Sequence, residues 1–231
     1  MVQPLTPLSK LPNFDPERVP VIGVDHHLPA VPAARLSAQA LRQRFAQPPA
    51  WQPEVVRERK FAQREPALAS VLVGIVMRDA PTLLLTQRTA HLSTHSGQIA
   101  FPGGKVDPED TDAAATALRE AQEEVGLDPR HVEVLGSLSE YVTGTSFIVT
   151  PIVALVDPAH ELVPNPNEVA AAFEVPLSFL MDPRHHRRHA FEAEGVRREW
   201  FSMPYQDGAA QRFIWGATAG MLRNFYRFLM A

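Results

Sequence analysis

Apolar positions along the chain form two kinds of pattern, and the first predicts strands. Ser70–Met77 (SVLVGIVM) is continuously apolar and β-branched, as expected of a strand covered on both faces. Thr82–Thr86 follows it after a short polar turn, and His131–Leu138 alternates apolar and polar residues. Phe147–Val156 is again apolar, although Pro151 within it indicates an edge strand or a bulge. These segments predict a β-sheet through the middle of the chain.

The second pattern is helical. Ser37–Phe45 carries apolar residues at helical spacing behind a serine that can cap the first turn. Val169–Leu180 predicts a short helix broken by Pro176, and Ala217–Leu229 predicts an amphipathic helix at the end of the chain. Two more strands are predicted near the C terminus, at Glu199–Met203 and Arg212–Trp215. Groups of strands and helices alternate, which predicts an α+β or mixed α/β class.

Composition excludes several classes of function. With 45% hydrophobic and 21% charged residues, the chain is typical of a soluble globular protein. A formal net charge of −4 argues against binding by bulk electrostatics to a polyanion, so we expect no nucleic-acid partner. The absence of cysteine excludes disulfides, thiol catalysis and zinc–thiolate sites. No stretch approaches the ~20 apolar residues of a membrane span and the start lacks a signal pattern, so we expect a cytoplasmic protein without a membrane partner.

The beginning of the chain differs from the remainder in its proline content. Of 22 prolines, roughly half precede Pro66, which predicts little regular structure there. We therefore divide the chain into a proline-rich extension, residues 1–33, and one domain, residues 34–231. The extension is expected to be either an arm that packs on a partner subunit, in which case the protein is a homodimer, or a disordered tail.

An alanine-rich segment between the predicted strands should form a further helix. Asp110 or Asp112 can cap its start, the pattern continues to Val125, and Gly126 is typical of a helix C terminus. An acidic composition precedes it in VDPEDTD, but this segment lacks the glycine and the final glutamate of a calcium loop.

Three glutamates crowd one side of this helix near its C-terminal end. Glu123 lies three residues and Glu124 four residues after Glu120. Like charges at this spacing cost about 0.2 to 0.5 kcal/mol per pair, and the negative end of the helix dipole adds a similar penalty. An exposed acidic face partly neutralised by Arg119 is one interpretation. A hard divalent cation that supplies the missing positive charge is the other, and the preceding glycine pair, which lets backbone approach a ligand closely, favours it.

The segment Gly103–Leu127 resembles the Nudix box. Arg119–Leu127 (REAQEEVGL) matches its second half, with Ala121 as a small version of the aliphatic position. The first half carries one extra residue if Gly104 and Asp110 are the counterparts of the box glycine and glutamate, so we expect no role for Asp110. Upstream, Leu84–Gly104 (LLTQRTAHLSTHSGQIAFPGG) resembles the signature of the coenzyme A pyrophosphatase branch of the Nudix family.

This resemblance extends from about Leu36 to the C terminus and implies a fold and a reaction. The fold would be the Nudix α/β/α sandwich with a mixed β-sheet. The reaction would be hydrolysis of the diphosphate of coenzyme A or its derivatives to 3',5'-ADP and 4'-phosphopantetheine. Two alternatives stay open: a Nudix pyrophosphatase acting on ADP-ribose, dinucleotides or nucleoside triphosphates, and a non-catalytic Nudix-fold binding module.

The resemblance also implies roles for the box residues. Glu120 and Glu124 would bind Mg²⁺ or Mn²⁺, with Glu123 as a third or water-mediated ligand, and Arg119 would orient a glutamate. The catalytic base would lie either on the helix, at Glu120 or Glu123, or in a distant loop, at Glu168 or Glu140. We expect Glu168 to begin a helix, where a glutamate also stabilises the first turn.

Substrate-binding roles follow from the upstream signature. Arg88, His95 and Gln98 would recognise the nucleotide or its 3'-phosphate, and Arg88 suits this role because a guanidinium binds phosphate through two hydrogen bonds. Gly103 and Gly104 would shape the loop before the helix. The segment Thr143–Ser146 would either donate to phosphate or form a hairpin connection. His185–His189 (HHRRH) is interpreted as a solvated loop, since interleaved arginines repel a cation.

Overall fold

The computed structural model describes residues 6, 11, 14–58, 65–89 and 97–231, and it contains two β-sheets with helices packed on them. In chain order the strands are β1 (Val21–Val24), β2 (Ala67–Val76), β3 (Thr82–Arg88), β4 (Ile99–Ala100), β5 (Gly103–Lys105), β6 (Val132–Ser137), β7 (Tyr141–Val142), β8 (Phe147–Val156), β9 (Val169–Pro176), β10 (Arg187–Ala193), β11 (Val196–Asp207) and β12 (Ala210–Trp215). The α-helices are α1 (Ala38–Ala46), α2 (Ala113–Val125), α3 (Leu177–Leu180) and α4 (Gly216–Met230).

The larger sheet is mixed. Its centre is the parallel pair of β2 and β8, which runs in register from Ala67 opposite Phe147 to Val76 opposite Val156. On one side, β3 joins β2 and β9 joins β3, both antiparallel, and β5 pairs with the first part of β2. On the other side, β6 and β7 pair antiparallel with successive parts of β8. Each face of β2 and β8 is apolar because each face is covered.

Two apolar cores lie on the two faces of this sheet. One core contains Leu72, Val76, Ile152 and Val156 together with Ala121 of α2. The other contains Val73, Ile75 and Val153 together with residues of α1, α4 and the smaller sheet, such as Leu41, Phe225 and Met203. The layers are therefore helix, mixed sheet and helix, which confirms the α/β class and the α/β/α sandwich expected from the resemblance.

Local sequence signals located most of the elements. The strands predicted over Ser70–Met77, Thr82–Thr86, His131–Leu138 and Phe147–Val156 are confirmed within a few residues, as are α1, α4 and the two C-terminal strands. Of the two alternatives for Pro151, an edge strand or a bulge, the edge strand is wrong, because β8 has neighbours on both sides. Pro151 instead faces the interval where β8 changes partner from β6, at Ile152, to β7, at Val149.

The helix predicted over Val169–Leu180 is also wrong over most of its length. Residues 169–176 form β9, and a single helical turn, α3, follows. Pairing with β3 from Thr82 to Arg88 supplies the backbone partners, and Phe173 and Val175 alternate with more exposed residues. This long-range pairing overrides the helical propensity of the three alanines in the segment.

The smaller sheet has the order β1-β10-β11-β12, so part of the proline-rich extension is an edge strand of the sheet. The interpretation of His185–His189 as a solvated loop is wrong, because His186 and His189 are buried. His186 donates from Nε2 to the carbonyl of Leu180 at 2.8 Å, and its Nδ1 lies 3.2 Å from Nη1 of Arg223. Burial lowers the pKa of His186 to about 4, which keeps it neutral in this contact.

Within the described ranges, no helix is long and apolar enough to cross a membrane. The division into residues 1–33 and 34–231 and the homodimer stay predictions.

Candidate active site

Helix α2 is fixed in place by caps at both ends. Asp112 is the N-cap, and its Oδ1 accepts a hydrogen bond from the backbone N–H of Ala115 at 2.8 Å. Gly126 ends the helix in the left-handed region with φ 69°, where glycine is favoured. The small side chains of Ala117 and Ala121 are fully buried against the sheet, so the helix lies close to β2 and presents its glutamates towards β5.

Glu124 is the most buried carboxylate of the three, with 6% of its side chain exposed. Its Oε2 accepts the backbone N–H of Gly103 at 3.2 Å, and Nη1 of Arg88 lies 3.7 Å from its Oε1. Burial raises the pKa of Glu124 to about 7, against the opposing effect of these two partners, and the negative charges of Glu120 and Glu168 add to the rise. This carboxylate therefore has too little positive charge around it.

Glu120 lies one turn earlier and is half-buried. Burial raises its pKa above the usual value, Arg119 opposes the rise, and repulsion from Glu123 and Asp107 adds to it. A Cβ placed on Gly104 would lie 2.4 Å from the Glu120 carboxyl group, so a larger residue at position 104 would displace this carboxyl group from its present position. The Gly103–Gly104 pair thus contacts both buried carboxylates.

Arg119 and Asp110 form a pair beside these glutamates. Arg119 donates to both oxygens of Asp110 at 3.0 and 2.9 Å, and also to Glu120 at 3.0 Å and Glu123 at 3.2 Å. Asp110 also accepts from Thr116 Oγ1 at 2.8 Å. The hydrogen bonds from Arg119 hold the pKa of Asp110 well below its usual range. The expectation that Asp110 has no role is therefore wrong, since it anchors the arginine that holds the helix glutamates.

Asp110→Asn should lower activity by about 10- to 100-fold, because residues that orient a metal ligand typically have effects of this size. The substitution removes the charge that fixes Arg119, which then neutralises Glu120 and Glu123 more strongly. The measurement is kcat/KM for hydrolysis of coenzyme A, the substrate expected from the resemblance, at saturating magnesium. Asp107→Asn is the matched control, because Asp107 is exposed and its carboxylate lies 3.6 Å from Arg119. Equal losses in both variants would contradict the anchoring role.

Glu168 lies in the turn before β9 and does not begin a helix. Its carbonyl accepts the backbone N–H of Thr89 at 3.0 Å, and its Oε1 lies 3.4 Å from Nδ2 of Asn165. The backbone N–H of Asn165 in turn donates to the carbonyl of Glu124 at 2.8 Å. These contacts bring Glu168 to the glutamate helix, whereas Glu140 is exposed just before β7.

A cavity of about 840 Å³ opens beside the glycine pair. Four of the residues assigned to the substrate line it: Arg88, Gln98, Gly103 and Gly104. His95, the fifth, lies outside the described residues. Thr143–Ser146 is a hairpin connection between β7 and β8, in which the backbone N–H of Thr143 donates to the carbonyl of Phe147 at 2.9 Å.

Comparison with known proteins places this site in a family. The NUDIX domain model matches residues 69–201, more than half of the chain, and the matched span contains the whole glutamate helix. The chain belongs to the Nudix family. It is 44% identical over 157 residues to the uncharacterized Nudix hydrolase NudL of Escherichia coli O7:K1, which covers 68% of this chain and 79% of that protein. The uncharacterized Nudix hydrolase NudL of Citrobacter koseri is 45% identical over 157 residues, again 68% of this chain and 79% of that protein.

Solved structures of Nudix proteins align over about half of the chain. An Ap4A hydrolase of C. elegans aligns with a TM-score of 0.41 and 21% identity, over 51% of this chain and 85% of that chain. The NUDIX domain of Shewanella oneidensis NrtR, complexed with ADP ribose, aligns with a TM-score of 0.39 and 19% identity, over 59% of this chain and 82% of that chain. Family membership supports a Nudix hydrolase that cleaves a diphosphate bond.

Nudix hydrolases generally use divalent metal ions, and the donor set of this Nudix protein fits one. Glu120 and Glu124 are neighbouring carboxylates whose burial is not matched by enough positive charge, as their raised pKa values indicate. Among the described residues, no group of three or more acidic or histidine side chains is arranged to hold a metal ion, and Glu120 and Glu123 accept hydrogen bonds from Arg119 instead. Magnesium commonly takes only one or two protein carboxylates, with waters and substrate phosphates completing its shell.

Proposed function

We propose that this Nudix hydrolase cleaves the diphosphate of coenzyme A or a coenzyme A derivative, giving 3',5'-ADP and 4'-phosphopantetheine. One observation carries the proposal. The upstream signature contributes Arg88, Gln98, Gly103 and Gly104 to the wall of a single cavity, and the last two also contact the carboxylates of α2. The segment that resembles the coenzyme A branch and the segment that resembles the hydrolytic box thus meet where the diphosphate would lie.

Each residue has a task that its position supports. Glu120 and Glu124 would hold Mg²⁺ or Mn²⁺, with Glu123 reaching it directly or through water. The bound cation supplies neutralisation of the diphosphate and a more acidic water. Arg119, anchored by Asp110, orients Glu120. Arg88 approaches the site from the end of β3 and offers its guanidinium to a phosphate oxygen.

Hydrolysis requires a base that accepts a proton from the attacking water. The water oxygen forms a bond to one phosphorus, the bond from that phosphorus to the bridging oxygen breaks, and the released phosphate carries the electron pair. Glu168 is favoured as the base, because its charge contributes to the raised pKa of Glu124 and it is not held by Arg119. Glu120 and Glu123 remain the alternatives on the helix, and both accept hydrogen bonds from Arg119.

Incubation with coenzyme A and magnesium should give 3',5'-ADP and 4'-phosphopantetheine, resolved by liquid chromatography and mass spectrometry. Glu120→Gln should reduce the rate by about a thousandfold, since a lost metal ligand removes several kcal/mol of transition-state stabilisation. Glu192→Gln is the matched control, because Glu192 is exposed on β10, in the smaller sheet.

Each result has a distinct meaning. Survival of coenzyme A together with cleavage of ADP-ribose or a dinucleotide would retain the diphosphate chemistry and reject the substrate. No cleavage of any of these would favour a non-catalytic binding module. Equal rates for Glu120→Gln and Glu192→Gln would reject the role of the glutamate helix.

A further inference from the structure

A row of four residues crosses the larger sheet from the catalytic end towards α4. Lys105 lies opposite Ala69, Ala69 opposite Val149, and Val149 opposite Tyr141. Directly opposed residues on neighbouring strands place their side chains on the same face. All four line the cavity beside the glycine pair, so they form its floor. At ~4.8 Å between strands, the floor extends about 14 Å from Lys105 to Tyr141.

Helix α4 covers this floor with small and flexible side chains. Ala217, Gly220 and Met221 line the cavity from the helix side. A Cβ on Gly220 would lie 2.7 Å from the Tyr141 hydroxyl oxygen, so glycine allows the helix to approach this close to the tyrosine. The space between floor and helix is therefore a slot, and we use this name for the cavity between Lys105 and Tyr141.

A segment of the N-terminal region closes the far end of the slot. Residues 54–58, here called the strap, run beside β7: the N–H of Val142 donates to the carbonyl of Val56 at 3.0 Å, and the N–H of Glu58 donates to the carbonyl of Val142 at 2.8 Å. Asn224 of α4 binds the N–H and the carbonyl of Val55 at 3.0 and 2.7 Å. One more strand spacing puts the strap about 19 Å from Lys105.

The floor of the slot is charged at its Lys105 end and uncharged between Ala69 and Tyr141. Other walls of the same cavity carry arginines, of which three are paired with carboxylates: Arg188 with Asp25, Arg197 with Glu199 and Arg198 with Glu194. Arg88 and Lys105 lie at the catalytic end, where an anionic diphosphate is favoured. The floor between the ends consists of Ala69 and Val149 and leads to the buried ring of Tyr141. At the far end, Glu58 accepts hydrogen bonds from the Tyr141 hydroxyl at 3.0 Å and from the N–H of Gly144 at 2.9 Å. Arg57 of the strap also lines the cavity, but Glu58 is the group that contacts the Tyr141 end of the floor, and its carboxylate disfavours a phosphate group there because like charges repel each other.

We propose that the slot holds the 4'-phosphopantetheine arm of the substrate, which leaves the 3'-phosphorylated adenosine outside it. This inference rests on the proposed function. The arm is uncharged beyond its phosphate and has twelve bonds from the phosphate oxygen to the sulfur. An extended chain advances ~1.2 Å per bond, so the arm reaches about 14 Å, from Lys105 to Tyr141 and short of the strap. The doubly charged 3'-phosphate has no cationic partner on the floor between the ends.

Binding of the two product halves tests this orientation without turnover. Isothermal titration in magnesium-containing buffer would use 4'-phosphopantetheine and, separately, 3',5'-ADP. Ala69→Leu fills the slot from the floor and Ala217→Leu fills it from the helix. Both should raise the Kd for 4'-phosphopantetheine about tenfold or more, because a crowded site cannot relax fully. The Kd for 3',5'-ADP should stay within about twofold. Ala210→Leu, at an exposed position outside the cavity, is the matched control.

Ala69→Leu and Ala217→Leu are both tested because either substitution could prevent folding. Thermal unfolding shows whether each variant is folded, and the Kd values are compared only for a folded variant. Weaker binding of 3',5'-ADP with unchanged binding of 4'-phosphopantetheine would overturn the proposal. So would an unchanged Kd for both halves, or no binding of 4'-phosphopantetheine to the parent protein. Coenzyme A hydrolysis separates the two proposals: cleavage combined with the reversed binding pattern rejects only the orientation. The expected binding pattern without cleavage rejects only the catalytic function.

Discussion

Glu124→Gln is expected to abolish hydrolysis and, at the same time, to stabilise the metal-free protein above neutral pH. The carboxylate is 6% exposed, it lies beside Glu120 and Glu168, and its pKa is raised to about 7. In the metal-free protein, the ionised form of this buried carboxylate destabilises the folded state. An amide of the same shape removes the charge and can still accept the N–H of Gly103. Loss of the ligand should lower kcat/KM by about a thousandfold.

The direction in which the free energy of unfolding changes with pH follows from the pKa values of Glu124 in the unfolded and folded states. The carboxyl titrates near 4.5 in the unfolded chain and near 7 in the folded protein. Below pH 4.5 it is protonated in both states and does not affect the free energy of unfolding. Between pH 4.5 and 7 the unfolded chain loses this proton while the folded protein keeps it, so the free energy of unfolding falls by about 3 kcal/mol, and the loss is complete once the pH has passed 7. The stabilisation by Glu124→Gln should therefore be present at pH 8 and nearly absent at pH 4.5.

Thermal melts in a chelating buffer at several pH values measure this difference in Tm. Glu192→Gln, an exposed substitution with the same chemistry, serves as the control and should show no such trend. Addition of magnesium at pH 8 should raise the Tm of the parent protein more than that of Glu124→Gln, because the cation relieves the buried charge only where the carboxylate exists. A Glu124→Gln protein that melts at or below the parent Tm at pH 8 would contradict the uncompensated charge.

Features encoded by neighbouring residues could be predicted from the sequence. The N-cap Asp112 and the glycine terminator Gly126 act within one turn of α2, so the bounds of this helix followed from local patterns. The placement of Glu120 and Glu124 on one side follows from their spacing alone. The contacts of Gly103 and Gly104 with the two carboxylates show that this side of the helix lies beside the glycine pair.

Features that depend on distant contacts could not be predicted in this way. The role of Asp110 depends on how a turn absorbs the extra box residue. The N–H of Asp110 donates to the carbonyl of Asp107 at 3.0 Å, and the Asp110 side chain accepts the N–H of Asp107 at 2.9 Å. This turn returns the Asp110 carboxylate to Arg119, although the count of residues suggests a mismatch. Strand β9 similarly depends on β3, and the burial of His186 depends on Arg223 of α4.

The slot is the clearest case of a feature absent from local patterns. Its far end joins Val55 to Asn224, which are 169 residues apart in the chain. A buried cluster of charges supports the same junction, since Arg223 contacts Glu54 at 2.7 Å and Asp25 at 2.8 Å. Two of these groups come from the N-terminal half and one from the last helix. Only the folded chain brings them together, so no motif in either half predicts the closure of the cavity.

Gly103→Ala and Gly104→Ala should have different effects, although the two glycines are neighbours: the first should lower stability and the second should lower activity. A Cβ on Gly104 would lie 2.4 Å from the carboxyl of Glu120, the mobile end of a side chain. That carboxylate can move aside, so Gly104→Ala should fold normally but lower kcat/KM by about 100-fold or more, because a catalytic group is displaced by an ångström. A Cβ on Gly103 would lie 2.4 Å from the carbonyl oxygen of Ser70 and 2.7 Å from Cα of Val71, both in the backbone of β2.

The backbone of β2 cannot yield, because it is held on its other side by the parallel pairing with β8. Gly103→Ala should therefore lower the free energy of unfolding by about 3 kcal/mol or more, a loss typical of severe overpacking combined with backbone strain. Urea unfolding gives this free energy, and kcat/KM at saturating magnesium gives the activity. Gly23→Ala is the control for both, since no atom lies within 4 Å of its added Cβ. A Gly103→Ala protein as stable as Gly23→Ala would show that the glycine pair is an ordinary turn, whereas an active Gly104→Ala would show that the position of Glu120 does not limit the reaction.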